Sequence, residues 1–359
     1  MYRHVLVTGG AGFAGSSTAM ALKRENPAAD VAAFDNLRRR GSELNLARLS
    51  AASVRFVHGD VRSRADVLGV SPAPDLIVEC SAEPSVLAGY GGSPEYLIET
   101  NLNGCFNALE LARRSGADFI FISTSRVYPY GPINGLAFTE EATRYSLAAE
   151  QPIPGASALG IAESFPLEGA RSLYGMTKLA SELMIAEYGD AYGISYAIDR
   201  CGLIAGPWQM AKADQGVVTQ WVAAHAFGCP LRYIGFGGSG KQVRDFLHVD
   251  DFTALIVRQA ARMDLYRNRC FNVGGGVAHS LSLLELTALC REVTGRPVPV
   301  TATEDSRPAD IRIYVSDSRS VMAVDGWRPR HDARATIESI YSWLSAEGER
   351  LRPVLLGES

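Results

Sequence analysis

Tyr174 and Lys178 are the residues in this sequence whose types and spacing most directly suggest chemistry. They open the helix-favouring run SLYGMTKLASEL at 172–183. Residues at positions i and i+4 share a helix face, so the two side chains can approach the same ligand. A phenol near its usual pKa of about 10 is a poor base at neutral pH, but a neighbouring ammonium favours the phenolate. The spacing therefore predicts a tyrosine that can take a proton from a hydroxyl group.

A glycine-rich stretch between a predicted strand and a predicted helix provides a place for a cofactor. In VLVTGGAGFAGSS, Gly9 permits a tight turn, Gly12 lets the backbone approach a pyrophosphate, and Gly15 allows the helix to pack closely on the strand. Asp35 ends the next strand about 20 residues later, where its carboxylate can accept both ribose hydroxyls. The predicted dinucleotide site contains Gly9, Gly12, Phe13, Ala14, Gly15 and Asp35.

Two opposing features bear on the type of dinucleotide. Asp35 would repel a ribose 2′-phosphate and so favours NAD over NADP. The three arginines at 38–40 favour NADP, because guanidinium groups bind phosphate well. We predict NAD, with NADP as the alternative that these arginines leave open. The positive nicotinamide ring of NAD would act together with Lys178 in favouring the Tyr174 phenolate.

Composition narrows the class of protein. The 359 residues are 47% hydrophobic and carry a formal charge of -4, which suits a globular protein and makes nucleic acid a poor partner. No apolar run approaches the length that spans a bilayer, and a strand-like segment begins within a few residues of Met1, so we expect a cytoplasmic protein without a signal peptide or membrane contact. The six cysteines lack CxxC spacing and the histidines lack HxxxH or HExxH pairs, which predicts reduced thiols and no metal site.

The elements that must position these residues alternate in type along the first half of the chain. The alternating runs are HVLVT (4–8), SSTAMALKR (16–24), VAAFD (31–35), VRFVHGD (54–60), DLIVEC (75–80), NALELARR (107–114) and DFIFIST (118–124). Apolar strands that alternate with amphipathic stretches predict an α/β fold with a Rossmann-type doubly wound parallel sheet. The Pro- and Gly-rich stretch at 129–171 is expected to be a lid or binding loop, or a surface excursion without function.

The domain prediction follows from where this alternation ends. Residues 1–205 are predicted to form an NAD-binding Rossmann domain, to which 240–275 returns. Residues 206–359 have shorter and more mixed elements, and we expect a smaller, mixed α/β C-terminal lobe that binds the substrate.

Several motifs together resemble the extended short-chain dehydrogenase/reductase family of nucleotide-sugar epimerases and dehydratases. They are the GxxGxxG spacing, FDNL at 34–37, HGDVR at 58–62 and the Tyr-x-x-x-Lys pair at 174–178. The resemblance covers nearly the whole chain. Further stretches, ADQGVV (213–218), GSGKQVRDFLHVDD (238–251) and RPADIRIYVSD (307–317), are most similar to epimerases that invert C2 of a CDP-sugar.

The resemblance implies roles for residues that spacing alone does not single out. Thr124 would hydrogen-bond the hydroxyl that Tyr174 deprotonates. The further implied cofactor residues are Asn36, Asp60, Val61 and Asn101, together with Tyr174 and Lys178. The implied residues for a nucleotide diphosphate sugar are Arg126, Gln215, Gly216, Arg244, Arg307 and Asp310. Arg244 and Arg307 would bind the diphosphate, because their planar forks suit phosphate oxygens.

The implied reaction is epimerisation: the enzyme keeps the NADH, lets the keto sugar turn over, and returns the hydride to the opposite face. Dehydratases of this family carry Asp then Glu directly after the threonine, whereas this chain has Ser125 and Arg126, so elimination is disfavoured. Arg126 could steady a keto oxygen or a phosphate, or it could form a structural salt bridge. Glu79 and Glu83 stand where a histidine and a glutamine are common in the family.

Two other functions remain open at this point. A UDP-sugar 4-epimerase of the UDP-glucose or UDP-glucuronate type would share every catalytic group, and the two differ in nucleotide base and in how the sugar sits. A non-catalytic NAD-binding sensor would be expected to lack Tyr174 or Lys178, and this chain has both. The resemblance also implies a homodimer that pairs the helix carrying Tyr174 with the helix near 103–114, although the Ala-rich faces of these helices equally suit packing inside one subunit.

Overall fold

The computed structural model of the chain describes residues 2–211, 215–305 and 307–356, apart from the side chain of Glu349. The strands are β1 (His4–Thr8), β2 (Asp30–Asp35), β3 (Arg55–His58), β4 (Leu76–Glu79), β5 (Asp118–Thr124), β6 (Phe138–Glu140), β7 (Tyr145–Leu147), β8 (Ala156–Ser157), β9 (Gly160–Ile161), β10 (Tyr196–Cys201), β11 (Leu203–Ala205), β12 (Leu231–Ile234), β13 (Val243–His248), β14 (Arg269–Val273), β15 (Ser280–Ser282), β16 (Val300–Thr303) and β17 (Ile313–Tyr314).

The helices follow the same chain order. They are α1 (Phe13–Glu25), α2 (Leu46–Ala51), α3 (Arg64–Leu68), α4 (Glu95–Ile98), α5 (Gly104–Ser115), α6 (Tyr130–Asn134), α7 (Leu173–Tyr192), α8 (Val217–Phe227), α9 (Val249–Ala261), α10 (Met263–Tyr266), α11 (Leu283–Thr294), α12 (Arg319–Asp325) and α13 (Ala333–Leu356). A π-helical turn, Glu99–Asn103, joins α4 to α5. Such turns are often found at functional sites.

A seven-stranded sheet has the order β14-β10-β5-β4-β1-β2-β3. The pairs β1–β2, β2–β3, β1–β4 and β4–β5 are parallel. These strands are apolar along their length because helices cover both faces of such a sheet. The arrangement confirms the predicted α/β fold with a Rossmann-type doubly wound sheet.

On one face of this sheet the strand register aligns side chains of β1, β4 and β5 in rows. Leu6, Ile77 and Phe119 are partners across β1, β4 and β5 and form an apolar row. They belong to the buried cluster that also contains residues of α5 and α7. Two residues further along each strand, the partners are Thr8, Glu79 and Phe121. The row at the carboxyl edge of this face therefore contains a carboxylate.

The chain divides into two compact units. The first contains Met1–Val127, Leu173–Arg200 and Phe252–Phe271, and the second contains Tyr128–Ser172, Cys201–Asp251 and Asn272–Ser359. The unit boundaries differ from the predicted domains at 1–205 and 206–359, since 128–172 groups with the second unit. Of the stretch 240–275 that is predicted to return to the first domain, the first unit contains 252–271. The assignment of NAD to one domain and substrate to the other remains a prediction.

Hydrogen bonds explain why the Pro- and Gly-rich stretch belongs to the second unit. Ile161 donates its N–H to Val315 O at 2.8 Å, and Asp317 donates its N–H to Ile161 O at 2.9 Å. Asn272 donates its side-chain N–H to the same Ile161 carbonyl at 2.8 Å and accepts from the Tyr128 hydroxyl at 2.8 Å. These hydrogen bonds tie the stretch to the second unit, and its role as a lid or binding loop remains a prediction.

The second unit has its own sheet. In it β13 lies between parallel β11 and antiparallel β15 and also pairs with β17. A separate pair is formed by β12 and β16. Across the described ranges, no helix combines the length and the apolar character needed to cross a membrane.

The surroundings of Asp199, a buried acid on β10, favour its protonated form. Asp199 and Gln259 are both fully buried, and Gln259 Nε2 donates to Asp199 Oδ1 at 2.8 Å. The other two oxygens, Asp199 Oδ2 and Gln259 Oε1, have no hydrogen-bond partner among the described residues. A proton on Asp199 would let its O–H donate to the amide oxygen and satisfy both atoms. Burial raises the pKa of Asp199 to about 7, against the opposing hydrogen bond from Gln259.

We expect this carboxyl group to make stability fall as the pH rises. Its pKa in the unfolded chain is about 3.9, so between that value and about 7 the folded protein holds a proton that the unfolded chain has lost. Asp199→Asn, whose amide can form the same paired contact with Gln259, should remove this decline and melt several degrees above wild type near pH 8. Melting temperature measured from pH 4 to 8 tests this. The matched control is Asp190→Asn on the exposed side of α7, and equal slopes for all three proteins would contradict the expectation.

Candidate cofactor and catalytic site

The glycine-rich turn is shaped by close approaches of its own backbone. Gly9 has a φ of 58°, in the left-handed region that glycine adopts readily. A Cβ atom on Gly15 would clash with the Gly9 carbonyl oxygen, and one on Gly12 would lie 3.0 Å from that oxygen. Gly12 is the N-cap of α1, which begins at Phe13 and continues through Ala14 and Gly15. The first amides of this helix are therefore available to an anion such as a pyrophosphate.

A carboxylate lies at the end of the strand beside this turn. Asp35 Oδ2 accepts from Ala11 N at 3.1 Å, and its Oδ1 accepts from Leu37 N at 2.7 Å. Burial raises the pKa of Asp35, and these backbone hydrogen bonds oppose that rise. Each carboxylate oxygen can accept more than one hydrogen bond, so Asp35 can hold the turn and still accept ribose hydroxyls.

The predicted adenosine side of the cofactor site is held by a second cluster. Asn36 Nδ2 donates to Asp60 Oδ2 at 2.9 Å, and Arg62 forms an ion pair with Asp60 at 2.6 Å. The hydrogen bonds from Arg62 lower the pKa of Asp60 well below its usual range, despite partial burial. Val61 is buried, and its carbonyl accepts from Asn107 Nδ2 at 2.9 Å. Glycine amides on one side and fixed carboxylates on the other fit the pyrophosphate and ribose of a dinucleotide.

One of the three arginines that could favour NADP is stacked on an aromatic ring. The Arg38 guanidinium carbon lies 4.0 Å from the centroid of the Tyr96 ring, and the Arg62 guanidinium carbon lies 4.9 Å from the same centroid. These contacts give Arg38 a structural partner, as expected for cation–π pairs at this distance.

The catalytic residues predicted from the sequence lie on two elements of the first unit. Tyr174 and Lys178 are 9% and 2% exposed in the first two turns of α7. Lys178 Nζ donates to the carbonyl of Ile122 at 2.9 Å, and Ile122 lies on β5 two residues before Thr124. Thr124 ends β5, and its hydroxyl accepts from Arg126 N at 3.2 Å. The lysine is therefore fixed to the strand that ends in the predicted threonine.

Asn101 connects the π-helical turn to the catalytic helix. Its Oδ1 accepts from Glu83 N at 2.7 Å, and its Nδ2 donates to Glu83 O at 3.2 Å and to Thr177 Oγ1 at 3.1 Å. Thr177 in turn donates to the Tyr174 carbonyl at 2.8 Å. The structure gives Asn101 a role in fixing α7, and the predicted contact with the cofactor remains a prediction. Arg126 is half-buried in the 3-10 turn Ser125–Val127.

In the second unit the structure brings two of the predicted substrate residues together. Arg244 Nη2 lies 3.3 Å from Asp310 Oδ1, and the guanidinium also donates to the carbonyls of Val243 at 2.8 Å and Ile311 at 2.5 Å. Burial lowers the pKa of Arg244, whereas Asp310 raises it. Arg307 is exposed, and its carbonyl accepts from Asp310 N at 3.2 Å.

The other two predicted substrate residues precede α8. Gln215 is half-buried, and Gly216 is the N-cap with a φ of 74°. A Cβ atom on Gly216 would lie 3.0 Å from Gln209 Oε1, which accepts from Thr219 at 2.7 Å. Ala213 and Asp214 of the same motif lie outside the described residues. The predicted catalytic residues are thus held by contacts within the first unit, and the predicted substrate residues of the second unit by contacts within that unit.

Sequence reasoning missed a buried ion pair behind the catalytic helix. Glu182 lies one turn after Lys178 and pairs with Arg200 of β10 at 2.7 Å, with both side chains less than 10% exposed. Ser123 of β5 also donates to Glu182. The available signal was a pair of charged residues inside otherwise apolar runs, which usually marks a buried ion pair. This pair ties α7 to two strands of the sheet.

Among the described residues, one cluster has the composition of a metal site. His248, Asp250 and His331 place one possible ligand atom each within 4.8 Å of one another. His248 Nδ1 accepts from Asp250 N at 3.1 Å, however, and its Nε2 lies 3.0 Å from Ser339 Oγ. Both ring nitrogens are therefore already engaged, and hydrogen bonding accounts for this arrangement.

Comparison with known proteins identifies the family. Residues 5–274 match the NAD-dependent epimerase/dehydratase family. The chain is 32% identical to a CDP-paratose 2-epimerase of Salmonella typhi over 95% of this chain and 99% of that protein. It is 27% identical to a dTDP-glucose 4,6-dehydratase of Mycolicibacterium smegmatis over 98% and 96% of the two chains. The chain belongs to the NAD-dependent epimerase/dehydratase family.

The fold is shared with solved structures. A UDP-glucose 4-epimerase of Thermus thermophilus in complex with NAD superposes with a TM-score of 0.75 at 26% identity, covering 95% of this chain and 99% of that chain. The predicted cofactor, NAD, is confirmed by the family and by this similarity.

We expect Asp35→Asn to weaken NAD binding and reduce its selectivity over NADP. The amide can no longer offer two anionic oxygens to the ribose, and the charge that repels a 2′-phosphate is lost. Loss of charged hydrogen bonds should raise the NAD dissociation constant about tenfold or more. Titration of cofactor-free protein with NAD and NADP measures both constants. Glu25→Gln, at the exposed far end of α1, makes the same charge change as a control, and an unchanged NAD/NADP ratio in Asp35→Asn would contradict the assignment.

Proposed function

We propose that this chain is an NAD-dependent epimerase of a nucleotide diphosphate sugar, acting at C2 of a CDP-sugar as CDP-paratose 2-epimerase does. The single observation that carries the proposal is the hydrogen bond from Lys178 Nζ to Ile122 O, which links α7, the helix of Tyr174, to β5, the strand that ends at Thr124. The 32% identity to a CDP-paratose 2-epimerase over nearly the full length of both proteins supports the choice of carbon and base.

The three residues divide the work on one hydroxyl group. When bound, NAD supplies a hydride acceptor and donor. Tyr174 takes the hydroxyl proton and later returns it, and Thr124 Oγ1 can hydrogen-bond the same oxygen. Lys178, fixed by its hydrogen bond to Ile122, holds a positive charge near the phenol and favours its ionised form. Both side chains are buried, and the attraction between the Lys178 ammonium and a Tyr174 phenolate is stronger there because the local dielectric is low.

The positions after Thr124 support epimerisation over elimination. Ser125 and Arg126 occupy the turn where the dehydratases of this family carry an acid and a base. A hydroxyl and a guanidinium cannot exchange protons as a carboxylic acid does near neutral pH. We therefore assign Arg126 to substrate binding, where its charge would stabilise a keto oxygen or a phosphate.

The diphosphate would be bound by residues of the second unit. Arg244 is half-buried and held by hydrogen bonds to the carbonyls of Val243 and Ile311, and Asp310 lies beside it. Such a guanidinium is preorganised for an anion, so little side-chain entropy is lost on binding. We assign the phosphate contacts to Arg244 and Arg307, a ribose contact to Asp310, and sugar-nucleotide contacts to Gln215 and Gly216.

A UDP-sugar 4-epimerase is the second candidate. It is favoured by the TM-score of 0.75 to a UDP-glucose 4-epimerase, the structure compared above. Both functions use the same hydride and proton transfers and differ in nucleotide base and in the carbon presented to Tyr174.

Proton NMR of the NAD-loaded protein with CDP-, UDP-, GDP- and TDP-hexoses separates the candidates. Inversion at C2 of a CDP-sugar without net NADH formation is the expected result. Inversion at C4 of a UDP-sugar would select the second candidate. Release of water or accumulation of NADH would overturn both.

Tyr174→Phe should lower the turnover of whichever sugar is inverted by about 10²- to 10⁴-fold, the usual contribution of a general base. The phenyl ring fills the same space, so NAD binding and melting temperature should stay close to wild type. Tyr192→Phe at the exposed end of α7 is the matched control and should turn over normally. Equal turnover by Tyr174→Phe and wild type would contradict the catalytic role and favour a non-catalytic NAD-binding protein.

We also propose a homodimer formed by α5 and α7. Large apolar side chains on these two helices face solvent: Phe106 is 38% exposed, Met176 37% and Leu183 63%. Such side chains on adjacent helices favour burial against a second copy. The cytoplasmic location remains a prediction from the sequence.

Leu183→Glu should convert the dimer into a monomer, because it places a charge in the proposed apolar interface. Light scattering during size-exclusion chromatography measures the mass of each species. Leu159→Glu, at a 49% exposed leucine of the second unit, is the control and should remain dimeric. A wild-type protein that elutes as a monomer would overturn the proposed dimer.

A further inference from the structure

Glu79 is a charged residue in a position where the sheet core is otherwise apolar. It is 1% exposed and lies in register between Thr8 of β1 and Phe121 of β5. Residues in register on neighbouring strands point to the same face of a sheet. The row directly behind it consists of Leu6, Ile77 and Phe119, part of the main hydrophobic cluster. A carboxyl group is costly here unless other groups compensate for it.

Hydrogen bonds around Glu79 suit an ionised carboxylate. Thr8 Oγ1 donates to Oε2 at 2.7 Å, Ser81 N donates to Oε1 at 3.2 Å, and the Ser81 hydroxyl also donates to Oε1. Thr8 Oγ1 accepts the N–H of Cys80 at 3.1 Å, so its own proton can point to Glu79. Three donors converge on the two oxygens, and a carboxylate that accepts several hydrogen bonds is stabilised in its charged form.

A positive charge lies over the same face. Lys178 is 2% exposed, and its Nζ is 4.5 Å from the ring centroid of Phe121, the register partner of Glu79. Burial raises the pKa of the Glu79 carboxyl, whereas the hydrogen bonds from Ser81 and Thr8 and the Lys178 ammonium oppose that rise. A buried ammonium and a buried carboxylate each stabilise the charged form of the other.

The other titratable groups near Glu79 and Lys178 are poor candidates for the partner of Lys178. Burial raises the pKa of the Cys80 and Cys105 thiols, which keeps both neutral. Asp199 has a pKa of about 7 and pairs with an amide. Glu182 lies one turn from Lys178, but Arg200 already holds it in an ion pair at 2.7 Å.

We propose that Glu79 is the counter-ion of Lys178 and, through it, sets the charge balance at Tyr174. The lysine ammonium, which also donates to the Ile122 carbonyl, favours the phenolate. The carboxylate also opposes the phenolate directly, so the pair moderates the acidity of the phenol. Glu79 thus acts as a positioning residue for the proposed reaction. The inference about Tyr174 rests on the proposed function, whereas the proposed pairing of Glu79 with Lys178 does not.

A double-variant cycle tests the ion pair without any substrate. Glu79→Gln and Lys178→Met should each lower the melting temperature of the NAD-loaded protein, because each leaves a buried charge uncompensated. The double variant should lose less than the sum of the two, since it leaves neither charge. Asp190→Asn combined with Lys178→Met is the control, and its losses should add, because Asp190 is exposed and lies about three turns further along α7. Additive losses for Glu79 and Lys178 would overturn the proposal.

A titration of the phenol tests the effect on Tyr174. The near-ultraviolet absorbance of tyrosinate is recorded against pH for the NAD-loaded protein and for its Tyr174→Phe variant, and their difference reports Tyr174. Removing the carboxylate charge in Glu79→Gln should lower the pKa of Tyr174 by about one unit. Asp190→Asn, at the exposed far part of α7, should leave it in place. A pKa that does not fall in Glu79→Gln would overturn this part, whichever sugar the protein accepts and even if it accepts none.

Discussion

The hydrogen bond from Lys178 to the carbonyl of Ile122 joins the two elements on which the proposed chemistry depends. It fixes α7 at the carboxyl edge of β5, where a parallel sheet opens its strand ends to ligands. Tyr174 lies one turn before Lys178, and Thr124 lies two residues beyond Ile122. A shift of α7 along the sheet would change the position of Tyr174 relative to β5, so the contacts that hold α7 in place bear on the proposed site. Asn101 and Glu182 provide two of them.

Burying charged groups in this core costs free energy, and neighbouring side chains offset that cost through hydrogen bonds and ion pairs. The Glu182 carboxylate has Arg200 and Ser123, and Glu79 has Thr8, Ser81 and the nearby Lys178. Asp199, whose partner is an amide, is expected instead to hold its proton until the pH approaches 7. Three buried acids of the first unit are therefore stabilised in three ways. Glu182 forms an ion pair, Glu79 accepts hydrogen bonds beside its proposed counter-ion, and Asp199 retains a proton. The choice in each case follows from the donors within reach.

Much of the first unit could be predicted because its constraints are local in sequence. The glycine spacing, Asp35 and the Tyr174–Lys178 pair each require only a strand, a turn or one helix to be placed correctly. The hydrogen bonds around Glu79 could not be predicted, since they depend on the register that aligns β1, β4 and β5. The division of the chain was harder still: the stretch at 128–172 carries little periodicity, and its place in the second unit is set by backbone contacts to residues about 150 positions away.

The same contrast explains why reaction type is easier to argue than substrate. Hydride and proton transfer need a fixed base, a fixed charge and a cofactor turn, and these arise from backbone geometry that one sequence motif can reveal. The proposed contacts with the diphosphate and its ribose involve Arg244 and Asp310 of the second unit. The position of Arg244 is set by the long-range pairing of β13 with β15 and β17. Arg244 spends several donors on backbone carbonyls and so is held in one orientation. A rigid guanidinium discriminates by position rather than by adapting to its ligand, so the base and the carbon selected depend on contacts that sequence motifs do not encode.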